Sequence, residues 1–212
     1  MTPRISWNRW AALLLIAPAA AVYAGTSTTN FRLKGNTVTS TFEAFDPSDP
    51  CILNFVSVSA SDIVEKTSPG GKKGGTPGTV LVVLQRDVCT DTPLFDGAGG
   101  PASHKFEVAG DLKSATLSAQ VPLENTLTGL ASTFQIKLTF QATTAAEFLH
   151  SKETFSDPEL GIKILAQSVS WISQATATGT VIADGYNYTP EASDSATIQK
   201  HNDGTLIIQK TF

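Results

Sequence analysis

An all-β fold is what this sequence predicts: an antiparallel β-sandwich of about nine or ten strands, with at most one short helix. Three observations lead there. The first is alternation. In Thr133-Phe-Gln-Ile-Lys-Leu-Thr-Phe-Gln-Ala142, Phe134, Ile136, Leu138 and Phe140 fall on one side and Gln135, Lys137, Thr139 and Gln141 on the other. That period of two puts one face against a core and the other in a polar medium. The second is punctuation, because Gly, Pro, Asn and Asp clusters interrupt short apolar runs along the whole chain. The third is the pair of cysteines, Cys51 and Cys89, which bracket two strand-like segments.

Cys51–Ala60 and Thr79–Val88 are apolar and rich in β-branched residues, as strands prefer. The segment between them, Thr67–Gly78, is dense in glycine and proline and reads as a hairpin loop. Both cysteines lie equally far from Gly70. In an antiparallel pair turning there they face each other, with Cα atoms ~4.5–5.5 Å apart, within reach of a disulfide. A structural disulfide is therefore expected, in keeping with an oxidising compartment.

The chain begins as a secretory leader. Arg4 and Arg9 form a basic segment, Ala11–Ala17 starts a short apolar run, and Val22-Tyr-Ala24 supplies a cleavage site. The expected organisation is a leader over 1–24 and a single β-sandwich domain over 25–212. No later segment reads as a transmembrane helix. The formal charge is −4, and losing Arg4 and Arg9 takes it to −6. That balance argues against nucleic acid, whose phosphates require clustered Lys and Arg.

In order, the expected elements begin with a hairpin, Asn30–Lys34 and Thr37–Phe45, turning at Gly35-Asn36. Asp46-Pro-Ser-Asp-Pro50 breaks the ladder before Cys51. Thr90–Pro101 reads as a long surface loop. Strands follow at His104–Val108 and Ser114–Val121, then a connector at Leu127–Leu130 and the alternating 133–142 strand. Ala145–Lys152 is the one helix candidate, closed off by Asp157-Pro158. Ile162–Ile172 and Thr176–Ile182 supply one or two more strands. Asp184-Gly185 marks a turn before Tyr186–Tyr188. A last hairpin, Ser195–Lys200 and Thr205–Lys210, turns at His201–Gly204.

Chemistry is sparse. Gly70-Gly-Lys-Lys-Gly-Gly75 lacks the Gly-Lys-Ser/Thr ending of a phosphate loop, and a strand follows it in place of a helix. No Gly-x-Ser-x-Gly occurs, and nothing pairs His104, His150 or His201 with a nucleophile. Asp46, Asp49, Asp91 and Asp96 flank the two cysteines and are the candidate ligands for Ca²⁺, which takes six to eight oxygens. Trp171 belongs in the core, as an apolar strand places it. Were it exposed, it would join Tyr186 and Tyr188 as candidate stacking residues for a sugar.

The expectation is thus an exported, non-enzymatic binding or structural module with an extracellular protein or glycan as partner. The alternatives are a carbohydrate-binding module, a secreted hydrolase or a small outer-membrane β-barrel. Lys210, in the last strand, sits where a lipid-facing barrel wants an apolar residue.

Overall fold

The computed structural model describes residues 26–68, 73–74, 78–100, 103–183, 186–188, 193 and 195–211. The expected leader lies outside them. Thirteen strands are present, against the nine or ten expected, and no helix occurs among the described residues. They are β1 (Thr26–Asp46), β2 (Asp49–Ser61), β3 (Val64–Ser68), β4 (Lys73–Gly74) and β5 (Gly78–Asp87). Then come β6 (Thr92–Gly99), β7 (Ser103–Val108), β8 (Ser114–Glu124) and β9 (Ala131–Ala142). The chain ends with β10 (Glu147–Asp157), β11 (Ile162–Ala183), β12 (Tyr186–Tyr188) and β13 (Ser195–Thr211). All belong to one antiparallel sheet, whose main path runs β6-β5-β2-β1-β13-β11-β9-β8-β7.

The sheet folds over on itself, so its inner face becomes a core. Val38 and Phe42 of β1, Val56 and Val58 of β2, and Leu81 and Val83 of β5 are buried on one side. Leu117 and Val121 of β8 and Phe134, Ile136, Leu138 and Phe140 of β9 are buried within the same core. The alternating 133–142 segment behaves as its pattern dictates: even residues inside, odd residues in solvent. Phe95 meets Phe134 edge-on, with ring centroids 6.0 Å apart. Burying each such side chain is worth ~1.5–3 kcal/mol.

Closure brings β6 against β8. Gly97 and Gly99 make the approach possible. A Cβ on Gly99 would lie 2.5 Å from the Pro122 carbonyl oxygen, and one on Gly97 would lie 2.9 Å from that of Glu124. The buried Asn125 clasps the seam. Its Nδ2 donates to the Leu94 carbonyl at 3.1 Å, and its Oδ1 accepts from the Leu127 N–H at 3.0 Å. The glycines that suggest a loop at 90–101 thus serve an edge strand that must sit close to its neighbour.

The Cys51–Cys89 disulfide forms, with Cα atoms 5.3 Å apart. Its registry differs by one residue from the symmetric expectation. Ile52 stands opposite Asp87, and the Val88 N–H donates to the Cys51 carbonyl at 2.7 Å. Cys89 therefore crosses diagonally from the turn that follows β5. The 67–78 segment is more than a loop, since β3 returns to pair with β1 and β4 pairs with β3.

Two expected hairpins are continuous strands. β1 runs straight through Gly35-Asn36, and β13 through His201–Gly204. The two false turns are neighbours in the sheet: Gly35 pairs with His201, and Leu33 with Gly204, with a register shift between them. Gly35 is required because the β2–β3 connector crosses over it. A Cβ there would stand 2.6 Å from the Ile63 Cα. The Asp62 carboxylate pins that connector, accepting from the Asn36 backbone N–H and, at 3.0 Å, from its Nδ2. The expected helix at 145–152 is instead the start of β10, which pairs with β11 from Glu147 to Asp157. Asp157 caps the turn that joins them, accepting from the Glu159 and Leu160 N–H groups.

Beyond that line of bulges the sheet continues as an arm, ordered β3-β1-β13-β11-β10, and no second layer covers it among the described residues. Two measurements test this account. Gly179→Ala, whose Cβ would collide with the Lys137 carbonyl oxygen at a φ of +137°, should destabilise the fold by about 2–4 kcal/mol. Gly110→Ala, with open space around it, should stay within about 0.5 kcal/mol in the same urea titration. Cys51→Ser with Cys89→Ser should cost about 4 kcal/mol, the chain-entropy value for a 38-residue separation.

Candidate functional site

Cross-strand registry assigns each arm residue to a face, since directly opposed residues point the same way. One row across the arm is Phe148, Trp171, Lys200 and Asn36. Another is Lys152, Gln167, Thr205, Arg32 and Lys66. This face continues the parity of Val38 and Phe42, so it prolongs the core-facing side of the body past the end of its covering layer. Arg32, Lys34, Lys66, Lys152, Lys163 and Lys200 are its charges. The face carries no carboxylate among the described side chains, and the register sets the Asp203 position opposite Val169 on this same face.

The opposite face is its electrostatic complement. Glu65, Glu147, Glu153 and Asp157 stand there, without a described cation. Both faces carry apolar centres. Val169, Leu165 and Ile207 lie on the basic face, and Ile164, Ala166 and Ile208 on the acidic one. All six are only partly covered. Phe148, at 55% exposure, and Phe155, at 58%, flank these centres on the basic and acidic faces respectively.

Where the arm leaves the body, a shallow pocket of about 270 Å³ lies between Trp171, Ala146, Asp111, Lys200 and Asn202. The turn after β7 forms one wall. Its Leu112 adopts φ +59°, a left-handed conformation uncommon for a branched side chain, while burying that side chain at the open end of the core. The Trp171 and Phe148 rings meet at 5.2 Å and 62°. A second cleft, of about 540 Å³, adjoins Asn202 and is lined by Arg32, Lys34, Lys66 and Asp62.

The residues singled out from sequence fare differently. Trp171 is not in the core but 38% exposed. Tyr188 is buried at 7%, its ring stacked near Phe134, and it pairs at Val181, ten residues along β11 from Trp171. At ~3.3 Å per residue the two are roughly 33 Å apart, so they form no common platform. The Tyr186 side chain lies outside the described residues. Phe148, the aromatic actually beside Trp171, sits in the segment read as helical and so escapes a strand-based search.

The four aspartates are held separately. Asp46 accepts from the Ser48 hydroxyl and N–H, and Asp49 from the Cys51 N–H at 2.9 Å. Asp91 pairs with Arg86, and Asp96 stands opposite Leu84 on β6. None belongs to a described group of three ligand atoms within 4.8 Å. The one such group is Cys51, Asp87 and Cys89, whose sulfurs are committed to the disulfide. The side-chain hydrogen bond from Ser48 holds the Asp46 carboxyl below its ordinary value, and the Thr90 N–H does the same for Asp87.

One hydroxyl–imidazole pair exists that sequence spacing does not reveal. Thr79 Oγ1 and His104 Nδ1 are hydrogen-bonded between β5 and β7. Thr79 is fully buried, so no substrate reaches it, and the pair acts as a strut across the closed sheet. His150 Nε2 contacts the Gln167 amide at 3.3 Å. No protein-family model matches this chain, and neither does any curated protein or solved structure.

Burial lowers the imidazole pKa of both His104 and His201, with Asp62 partly opposing it at His104. The folded state therefore binds fewer protons than the unfolded chain just below the ordinary value of ~6.5. Stability from these groups is complete above that pH and is lost as pH falls through their lowered values. Calorimetric Tm should be level from pH 8 to 7 and decline toward pH 5, with a shallower decline in His104→Gln. A second loss, from Asp46, Asp87 and Asp111, should begin only below about pH 4.

Proposed function

We propose that the protein is an exported, non-enzymatic binding module of the periplasm or cell surface, and that the arm is its working surface. One observation supports this above the rest. The arm presents apolar centres on two faces of a single-layer sheet, and among the described arm side chains Ser170 is buried and none belongs to the hydrophobic core. Apolar surface held open in this way marks an interaction site in a soluble protein. The disulfide fits an oxidising compartment. The outward residues of β8 and β9, among them Thr116, Ser118, Lys137 and Thr139, are polar and exposed, the reverse of a lipid-facing barrel wall.

A glycan is the second reading, favoured by the pocket at the arm's root. An indole half-exposed beside an acid, an amide and an ammonium group has the mixed character that sugar binding uses: stacking on the ring, hydrogen bonding at its rim.

A paired variant separates these readings. Phe148→Ser with Phe155→Ser changes only exposed positions, so Tm should move by no more than a few degrees. Binding of the purified protein to envelope fractions of the producing cell should fall at least tenfold. Unchanged binding would remove the arm from consideration. Binding to a glycan array that vanishes in Trp171→Ala would favour the sugar reading instead.

A further inference from the structure

We propose that the arm's partner is a second copy of this chain, stacked head to tail, the basic face of one arm on the acidic face of the next. The inference rests on the arm being the working surface and names what covers it.

Charge segregation carries the argument. By register, six cations and the Asp203 position fall on one face, and four carboxylates and the Lys210 position on the other, in a chain whose overall charge is −4. A solvated sheet has no reason to sort its charges by face, because mixed signs serve solubility equally well. Sorting them makes the two faces complementary to each other. Basic-on-basic and acidic-on-acidic stacking are penalised by like charges, so the favoured contact is heterologous. Such a contact leaves one face of each end copy unused and propagates.

Shape and area agree. The ladder of β10 with β11 spans eleven rows, Glu147↔Ile172 to Asp157↔Ile162. Three strand spacings of ~4.8 Å over about eleven rows of ~3.3 Å, and a fourth over the five rows of β3, give each face on the order of 600 Å². A stable interface buries about 800 Å² per partner. Stacking sheets at ~10 Å would bring Val169, Leu165 and Ile207 of one copy against Ile164, Ala166 and Ile208 of the next. The charges then lie around that centre, the ordinary arrangement of apolar core and polar rim.

The test is charge exchange in the purified exported protein, read by sedimentation velocity. The wild type should sediment as a concentration-dependent series of oligomers at low ionic strength and weaken in 0.5 M salt. Lys34→Glu, Lys66→Glu, Lys152→Glu and Lys163→Glu together set four carboxylates against Arg32 and Lys200 on the basic face, so both faces become acidic. Glu65→Lys, Glu147→Lys and Glu153→Lys together set three cations against Asp157 on the acidic face, so both faces become basic. Each variant alone should associate at least about tenfold more weakly, and their mixture should recover the oligomers. All these positions are on the surface, and unchanged circular dichroism and Tm confirm that the fold persists.

A wild type that stays monomeric at high concentration overturns the proposal, as does association that survives in either variant alone. Retention of the monomeric wild type on immobilised heparin, lost in the first variant, assigns the basic face to a polyanion and equally overturns it. If the wild type is monomeric while Phe148→Ser with Phe155→Ser still loses envelope binding, self-stacking fails and the arm remains the binding surface. If that binding is unchanged as well, both readings fail together.

Discussion

Three strands, β1, β13 and β11, run unbroken from the body into the arm, and every other element hangs on that shared ladder. A single-layer sheet cannot stabilise itself, because it has no enclosed core to offset the ordering of its backbone at ~1–2 kcal/mol per residue. The arm is ordered because its strands are already fixed in the body, where Val38, Phe42, Ile198 and Ala175 lock the same three chains. Extending an existing ladder adds hydrogen bonds without a new nucleation step. Local loosening is therefore expected to start at the arm's outer edge and stop at the line of Gly35 and His201.

At that line the residue types change while the geometry persists. In β1 the inward parity carries Phe42, Ser40 and Val38, then Asn36, Lys34 and Arg32. In β11 it carries Ala175 and Ser173, then Trp171, Val169 and Gln167. The switch coincides with the end of the covering layer, where Leu112 plugs the core. Continuing the apolar pattern would have left a bare hydrophobic sheet, and breaking the strands would have removed the arm. Charged residues on a continuous strand avoid both outcomes.

The body was largely legible from sequence and the arm was not. Alternation found β7, β8 and β9, and cysteine spacing found the disulfide within one residue of its registry. Gly35-Asn36 and His201–Gly204 misled because local chemistry is the same for a hairpin tip and for a bulged crossing; only the partner strand distinguishes them. Ala145, Phe148, Leu149 and Lys152 are spaced for a helix, but the preference is a few tenths of a kcal/mol per residue and yields to a ladder of eleven pairs. Thr92–Gly99 falls inside the segment 90–101 that reads as a loop, because glycine and proline are turn residues in one dimension, whereas β8 needs Gly97 and Gly99 for contact. Trp171 looked like core because its strand is core for half its length. The charge sorting is invisible in one dimension, since its members lie on five strands, from Arg32 to Lys200, and meet only through registry.

The edge of the arm bears on how it can be covered. β10 is exposed along almost its whole length and, among the described residues, pairs with β11 alone, which leaves its other edge for a further strand. Edge pairing would extend the sheet sideways and leave both faces bare. Glu147, Lys152, Glu153 and Asp157 place charge along that edge, the device by which natural sheets resist such pairing. Ordered by alternation, these same charges also fall on opposite faces: Lys152 with the cations, the three acids with the carboxylates. A single strand thereby discourages addition at its side while setting the sign of the surfaces above and below it. Stacking covers the apolar centres of both faces, and edge pairing covers neither.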